Sequence, residues 1–371
     1  MTDNNKKNLS RRKFLGSTAA LAAISMAPMS FIGKSPLIVP AFQKIKLPNS
    51  KFGGVQIGAI TYSWRSMPSG VDNVIKYCKE SNLSSVELMS TDLEEFLGAP
   101  KNPMAGMLRP PQAQRPAGAP AGAPGGQPRQ GEQPAGAPAA QQGPRRPQMT
   151  PEQQELVNKF NSDLKAWRVS LPMTKVEEAR KLFEQAGIKV PIVKFSPARW
   201  SDEEIDYAFR TAKAMGAKGI TEEIGEEAVK KLGPIAAKHG MYAIFHNHMQ
   251  FATEGFSYDP FLAVSPAVMM NFDMGHFFGS TGIHPNTIIE KYHDRIFSIH
   301  IKDKTGPKTD PANMNQAWGQ GEAPVADVLL LLKEKKWPIT CDIELEYEIK
   351  PWSNAVKETA TCVKYARQIL M

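Results

Sequence analysis

The chain has 371 residues, three cysteines and a formal net charge of +8. Residues 1–30 contribute five basic and one acidic side chain, residues 104–150 contribute five arginines and one glutamate, and the remainder is close to neutral. No basic groove with interleaved aromatic residues is visible, so the composition argues against nucleic acid as a partner. The odd number and wide spacing of Cys78, Cys341 and Cys362 exclude a disulfide framework.

Residues 1–35 have the pattern of a twin-arginine export signal. The segment from Ser10 to Leu15 reads SRRKFL, and an apolar, Ala-rich run follows at residues 19–27. The run is too short for a membrane span, and no cysteine follows it for a lipid anchor, so we expect no stable membrane anchor. We therefore predict export to the periplasm. The alternative is a basic, disordered tail followed by a short apolar helix.

A low-complexity segment covers residues 103–148. Pro, Gly, Ala and Gln dominate it, and the sequence PAGAP recurs. Such a composition buries too little apolar surface to offset chain entropy, so we expect a disordered insertion. Because only two predicted strands precede it, the insertion lies after the second strand of one domain at residues 52–371.

Apolar runs alternate with amphipathic helical segments along this domain. Strands are predicted at 55–62, 85–89, 189–195, 219–224, 242–245, 268–272, 296–299 and 339–343, and helices at 71–81, 174–186, 202–215, 226–239, 326–335 and 355–369. Eight βα units predict an α/β fold of the single (β/α)8 TIM barrel type. The rival, an open doubly wound sheet, usually has a Gly-rich phosphate loop after an early strand, and residues 61–65 (TYSWR) contain none.

Polar side chains end the last four predicted strands. The segments are His246-Asn247-His248, Asp273-Met274-Gly275-His276, His300-Ile301-Lys302-Asp303 and Glu344-Leu345-Glu346. In a β/α barrel the carboxyl ends of all strands face one mouth, so these groups converge on one cavity. The sequence therefore predicts a divalent metal site of the manganese, cobalt, iron or zinc kind.

Together with Trp318-Gly319-Gln320-Gly321, these segments resemble the sugar phosphate isomerase/epimerase family of the xylose isomerase-like TIM barrels. The resemblance covers residues 52–370 apart from the insertion. It implies one divalent ion, Mn²⁺ or Co²⁺ with Zn²⁺ or Fe²⁺ as alternatives, that chelates adjacent oxygens of a sugar. It also implies Asp273, His300 and Glu344 as ligands.

The fourth ligand is open at this stage. Many relatives have a glutamate at the end of the fifth strand, whereas the matching residue here is His246, which we take as the ligand. His248, Glu222 and Glu223 are the alternatives. The substitution argues against epimerisation by two glutamates alone.

Proton abstraction beside a metal-chelated carbonyl requires a base and an acid. The candidates are Glu346, Lys302, His248 and His276. A nearby divalent cation would lower the pKa of Lys302. We expect Asp303 to orient His300 or Lys302, and Glu87 to lie at the same mouth.

The sequence supports an exported, metal-dependent isomerase, epimerase or lyase that acts on a sugar or keto-sugar, with elimination from a 3-keto-glycoside among the reactions. The alternative is a non-catalytic, periplasmic sugar-binding barrel. A small-molecule sugar is the expected partner, and a homo-oligomer is compatible with the sequence.

Overall fold

The computed structural model describes residues 47–104 and 149–371. The predicted signal peptide and residues 105–148 of the predicted insertion lie outside the described residues. None of the described helices is long and apolar enough to cross a membrane.

Eight parallel strands form the inner layer. They are β1 (Val55–Ala59), β2 (Ser85–Met89), β3 (Lys189–Lys194), β4 (Gly219–Glu223), β5 (Tyr242–His246), β6 (Val268–Asp273), β7 (Ile296–Ile301) and β8 (Thr340–Ile343). Each strand pairs in parallel with its neighbour from β2 through β8, and β8 pairs with β1. A parallel bridge between Ile60 and Glu87 connects β1 to β2 and closes the ring. The predicted TIM-barrel fold is confirmed.

The helices pack around this sheet. They are α1 (Val71–Ser81), α2 (Ser90–Phe96), α3 (Pro151–Ser170), α4 (Met173–Gln185), α5 (Asp202–Ala214), α6 (Glu226–His239), α7 (Asp259–Leu262), α8 (Met274–Thr281), α9 (Asn286–Tyr292), α10 (Val325–Lys335) and α11 (Ala355–Leu370). Their apolar faces are buried with the outward-facing strand residues in one hydrophobic core. The six predicted helices match observed ones to within one residue at each end.

Helix α3 was not predicted, although apolar residues recur at helical spacing from Val157 to Trp167. Arg168 is its one buried residue. The guanidinium of Arg168 lies 2.8 Å from Glu94 and stacks over the ring of Trp200. A polar contact near the end of the helix therefore attaches α3 to the barrel.

Strand β1 ends at Ala59, earlier than predicted, because Thr61–Trp64 form a 3₁₀ turn. Strands β5, β6 and β7 run one or two residues further than predicted. The polar residues at the ends of these strands therefore have their backbone fixed by strand hydrogen bonds and do not lie in loops. After β7, Asp303–Lys304 pairs with Asn315–Gln316 in a short antiparallel ribbon.

Candidate metal centre

The four predicted ligands lie together in the barrel mouth. His246 ends β5, Asp273 ends β6, His300 lies in β7 and Glu344 follows β8. All four are buried, and one ligand atom from each lies within 4.8 Å of the others. The alternation of side chains along each strand directs all four into the barrel.

His300 is held between two carboxylates. Its Nε2 is 2.9 Å from Oε2 of Glu87, and its Nδ1 is 2.9 Å from Oε2 of Glu344. Burial alone would lower the pKa of His300, but the charges of Glu344 and Glu87 outweigh burial and raise it well above its usual value. Glu87 is thus the partner that fixes the ring, an arrangement common behind metal-bound histidines. Glu87 is fully buried and lies next to the cluster, since its Oε2 contacts Nε2 of His300.

The ring of His246 is neutral, since burial lowers its pKa to about 3. Its Nδ1 is 3.4 Å from Oδ1 of Asn271, and its Nε2 is 3.9 Å from Oδ2 of Asp273. The Nε2 lone pair is therefore the one directed toward the other ligands.

The two carboxylate oxygens of Asp273 have different roles. Oδ1 accepts a hydrogen bond from the backbone N–H of His276 at 2.7 Å and so caps helix α8. Oδ2 is buried, and no described residue donates a hydrogen bond to it. The ammonium of Lys302 is 2.9 Å from Oδ2 without hydrogen-bonding geometry. An unsatisfied, buried carboxylate oxygen among two imidazoles and a second carboxylate fits a divalent ion, so this cluster could hold one.

Lys302 and Glu346 lie beside the cluster. The ammonium of Lys302 is 2.6 Å from Glu346 and 2.9 Å from Glu344. Burial would lower the pKa of Lys302, but Asp273, Glu344 and Glu346 raise it well above its usual value. The pKa is raised by the protein's own carboxylates, and the lowering expected beside a bound divalent cation stays a prediction. Burial raises the pKa of Glu346, but the charge of Lys302 has the larger effect, so the pKa lies below its usual value.

The two remaining acid–base candidates stack on each other. The rings of His248 and His276 have centroids 5.0 Å apart. Nε2 of His248 is 3.0 Å from Glu223, and Nε2 of His276 is 3.5 Å from Glu346. Burial lowers the pKa of His276, whereas for His248 the adjacent carboxylate of Glu223 outweighs burial and raises the pKa. Two carboxylate–imidazole pairs therefore adjoin the cluster.

Of the three alternatives for the fourth ligand, two lie near His246 and one does not. Glu223 and His248 form a second group with His246 that could hold an ion, and Glu223 also contacts Lys194 at 2.9 Å. Glu222 accepts hydrogen bonds from the backbone of Ala198 and Glu223 and has no place in either group. Strand alternation explains this, since neighbouring residues point to opposite faces.

Asp303 does not orient His300 or Lys302, which corrects the expectation from sequence. Its carboxylate accepts hydrogen bonds from the backbone N–H groups of Gly319, Gly321 and Ala323 at 2.8 to 3.2 Å. It therefore anchors the loop that follows β7.

Sequence reasoning assigned no role to three buried polar residues: Thr221, Asn271 and Lys304. Thr221 donates to Glu87 at 2.8 Å, and Asn271 donates to Glu87 at 2.9 Å. Each lies two residues from a predicted site residue or alternative on the same strand face, so the alternation itself was the available signal.

Residues 155–366 match the family described as xylose isomerase-like TIM barrel. No curated protein matches this sequence.

Solved structures of similar fold include the probable 3-DHS dehydratase AsbF of Bacillus anthracis, at 11% identity and a TM-score of 0.51, with 84% of this chain and 98% of that one covered. A xylose isomerase domain protein from Alicyclobacillus acidocaldarius has 11% identity, a TM-score of 0.52 and coverage of 85% and 98%. The 3-keto-D-glucoside 4-epimerase YcjR of E. coli has 10% identity, a TM-score of 0.50 and coverage of 85% and 99%. At these identities the likeness establishes the fold.

Proposed function

Because this chain belongs to the xylose isomerase-like TIM barrel family, we propose that it is an exported, divalent-metal-dependent isomerase, epimerase or lyase. Its substrate is a neutral sugar or keto-sugar, and the reaction begins with removal of a proton beside a carbonyl. Elimination from a 3-keto-glycoside is included in this proposal.

The observation that carries the proposal is the buried cluster of His246, Asp273, His300 and Glu344 with acid–base residues in contact with it. A divalent ion held by these four residues would supply Lewis acidity at a sugar carbonyl. Mn²⁺ or Co²⁺ is our choice, because the donor set has two nitrogens and two carboxylates and no thiolate.

The protein residues supply the base and the acid. Lys302 keeps Glu346 ionised by lowering its pKa, so Glu346 is ready to take a proton. Burial lowers the pKa of His248, but the carboxylate of Glu223 at 3.0 Å outweighs it and raises the pKa, so His248 is the group that carries a proton to give. A carboxylate base and an imidazolium acid can replace a two-glutamate pair, which this chain lacks.

The charges of the mouth nearly cancel, which suits a neutral substrate. The carboxylates of Glu87, Glu223, Asp273, Glu344 and Glu346 lie among the ammonium groups of Lys194, Lys302 and Lys304 and the imidazolium of His248. With a divalent cation bound, the sum would be within one charge of zero. Export through the twin-arginine pathway is part of the proposal and agrees with this, because sugar phosphates are mainly cytoplasmic.

The test combines metal content with proton exchange. The protein is loaded with excess Mn²⁺, desalted and analysed by mass spectrometry, and then incubated in D₂O with ketoses and 3-keto-glycosides. We expect about one retained ion per chain and deuterium incorporation next to the carbonyl. Asp273→Ala and His300→Ala should lose both.

Glu222→Gln is the matched control, because Glu222 lies near the end of β4 but its carboxylate accepts hydrogen bonds from the backbone and is not part of the cluster. It should retain the ion and the exchange. No retained ion in the parent protein would contradict the proposed chemistry. Sugar binding without exchange, unchanged by Asp273→Ala, would instead identify a non-catalytic sugar-binding barrel.

A further inference from the structure

Lys304 is a buried lysine that the mechanism does not use. It lies two residues beyond Lys302 on the same side of the chain, and it is 3% exposed. Lys302 has three carboxylates within 2.9 Å, whereas Lys304 makes no hydrogen bond or ion pair with any other side chain in the described ranges. Burial, followed by the charge of Lys302, lowers the pKa of Lys304 to about 8. An ammonium held in this way is costly unless a ligand provides a partner.

Helix α8 places a glycine beside each of the two lysines. A Cβ at Gly275 would lie 2.2 Å from Cγ of Lys302. One turn later, a Cβ at Gly279 would lie 3.0 Å from Cε of Lys304 and 2.2 Å from Oδ1 of Asn313. The side chains of Lys304 and Asn313 therefore converge on Gly279, and no larger residue could stand there without displacing them.

The amide oxygen of Asn313, the second member of this pair, is also without a partner among the described residues. Oδ1 of Asn313 is buried, and none of the described residues donates a hydrogen bond to it, while Nδ2 contacts Sδ of Met249 at 3.2 Å. A buried amide oxygen that accepts nothing is rare in folded proteins and calls for a ligand or water.

The loop that carries Asn313 is held in place by the protein itself. Asp303 anchors its far end through three backbone N–H groups. The carboxylate of Glu322 accepts from the backbone N–H of Gly306 and from the hydroxyl of Thr309. The positions of the two unpartnered groups are thus set before any ligand arrives, which lowers the entropy cost of binding.

A donor next to an acceptor matches a hydroxyl group, which accepts one hydrogen bond and donates another. We propose that Lys304 and Asn313 form a hydroxyl-binding subsite beside the metal centre and that it binds one ring hydroxyl of a neutral sugar, away from the reacting carbons. The class of ligand rests on the proposed function, whose substrate is a neutral sugar.

The test measures equilibrium binding and does not depend on turnover. The full-length protein with Mn²⁺ is titrated in a calorimeter with methyl α-D-glucopyranoside and with its 2-, 3-, 4- and 6-deoxy derivatives. Lys304→Met and Asn313→Ala should each raise the Kd for the parent glycoside by about 10- to 100-fold. For one deoxy derivative, the Kd should be the same for the unaltered protein and for the two variants, because this derivative lacks the hydroxyl that the subsite recognises.

Lys308→Met is the control, because Lys308 is exposed in the same loop and should leave every Kd unchanged. Manganese content should be the same in all variants.

An equal increase in Kd for every derivative would assign Lys304 and Asn313 to structure alone, and unchanged Kd values would also overturn the subsite. Failure of the unaltered protein to bind any of these glycosides, or tighter binding of glucose 6-phosphate, would overturn it too. Discrimination among the derivatives without deuterium exchange would leave the subsite standing and remove the proposed reaction.

Discussion

The ammonium of Lys302 lies 2.6 Å from Oε2 of Glu346, and it is 2.9 Å from the carboxylates of Asp273 and Glu344. One buried cation therefore connects the candidate base to two of the candidate metal ligands. This contact lowers the pKa of Glu346, so the base is ionised before a substrate binds.

Lys302→Met should reduce the turnover of a keto-sugar that the parent protein exchanges in D₂O by about 100- to 10,000-fold. Methionine replaces the lysine side chain as far as Cε and removes the ammonium whose charge keeps Glu346 ionised. Turnover is measured under saturating Mn²⁺, so that changes in metal affinity are separated from changes in chemistry. Lys291→Met, at an exposed lysine, is the control. Turnover within threefold of the parent would mean that Lys302 has no part in proton transfer.

His246→Ala and His248→Ala should differ in metal affinity. His246 contributes an atom to the cluster with Asp273, His300 and Glu344, whereas His248 belongs only to the neighbouring group with Glu223. We expect the Kd for Mn²⁺, measured by competition with a chelating dye, to rise at least tenfold more in His246→Ala. The reverse order would move the site to the second group.

Glu87→Gln should weaken metal binding by about 10- to 100-fold, although Glu87 is outside the ligand cluster. The carboxylate accepts from Nε2 of His300 and fixes the ring with Nδ1 toward Glu344. The pKa of His300 is raised above its usual value, so metal must displace a proton from Nδ1, and affinity should increase with pH. Calorimetry in buffers of different ionisation enthalpy measures the released proton. Equal affinity in the parent and Glu87→Gln would exclude this role.

Asp342→Asn should change how stability depends on pH. Asp342 is fully buried, neither carboxylate oxygen has a hydrogen-bond partner among the described residues, and burial raises its pKa to about 8. The folded chain therefore holds this proton more tightly than the unfolded chain. Its contribution to stability is full below pH ~3.9 and is lost as pH increases toward about 8.

The amide in Asp342→Asn carries no charge at any pH. Relative to the parent, the free energy of unfolding of Asp342→Asn should therefore increase over this window, by at most about 1.4 kcal/mol per pH unit. Urea unfolding of metal-free protein between pH 5 and pH 9 measures the difference. Asp294→Asn, at an exposed aspartate, should show no such trend. A constant difference between Asp342→Asn and the parent would mean that Asp342 is already ionised in the folded protein.

The sequence by itself determined the barrel and the mouth at which the polar residues meet. Strand and helix periodicities are local, and the closure of eight βα units brings their carboxyl ends together whatever the details of packing. His246, Asp273, His300 and Glu344 could therefore be placed together from the ends of four apolar runs. Helix α3 was not predicted, and its attachment depends on contacts that are distant in sequence, such as the one between Arg168 and Glu94, 74 residues apart.

Only the tertiary structure decided the electrostatics of the site. The three carboxylates around Lys302, the anchoring role of Asp303 and the fixing of His300 by Glu87 depend on partners from other parts of the chain. The distance between Glu87 and His300 in sequence is 213 residues, yet their side chains are 2.9 Å apart. A pKa is the balance of burial against such contacts, and neither burial nor contact distance can be read from one strand at a time.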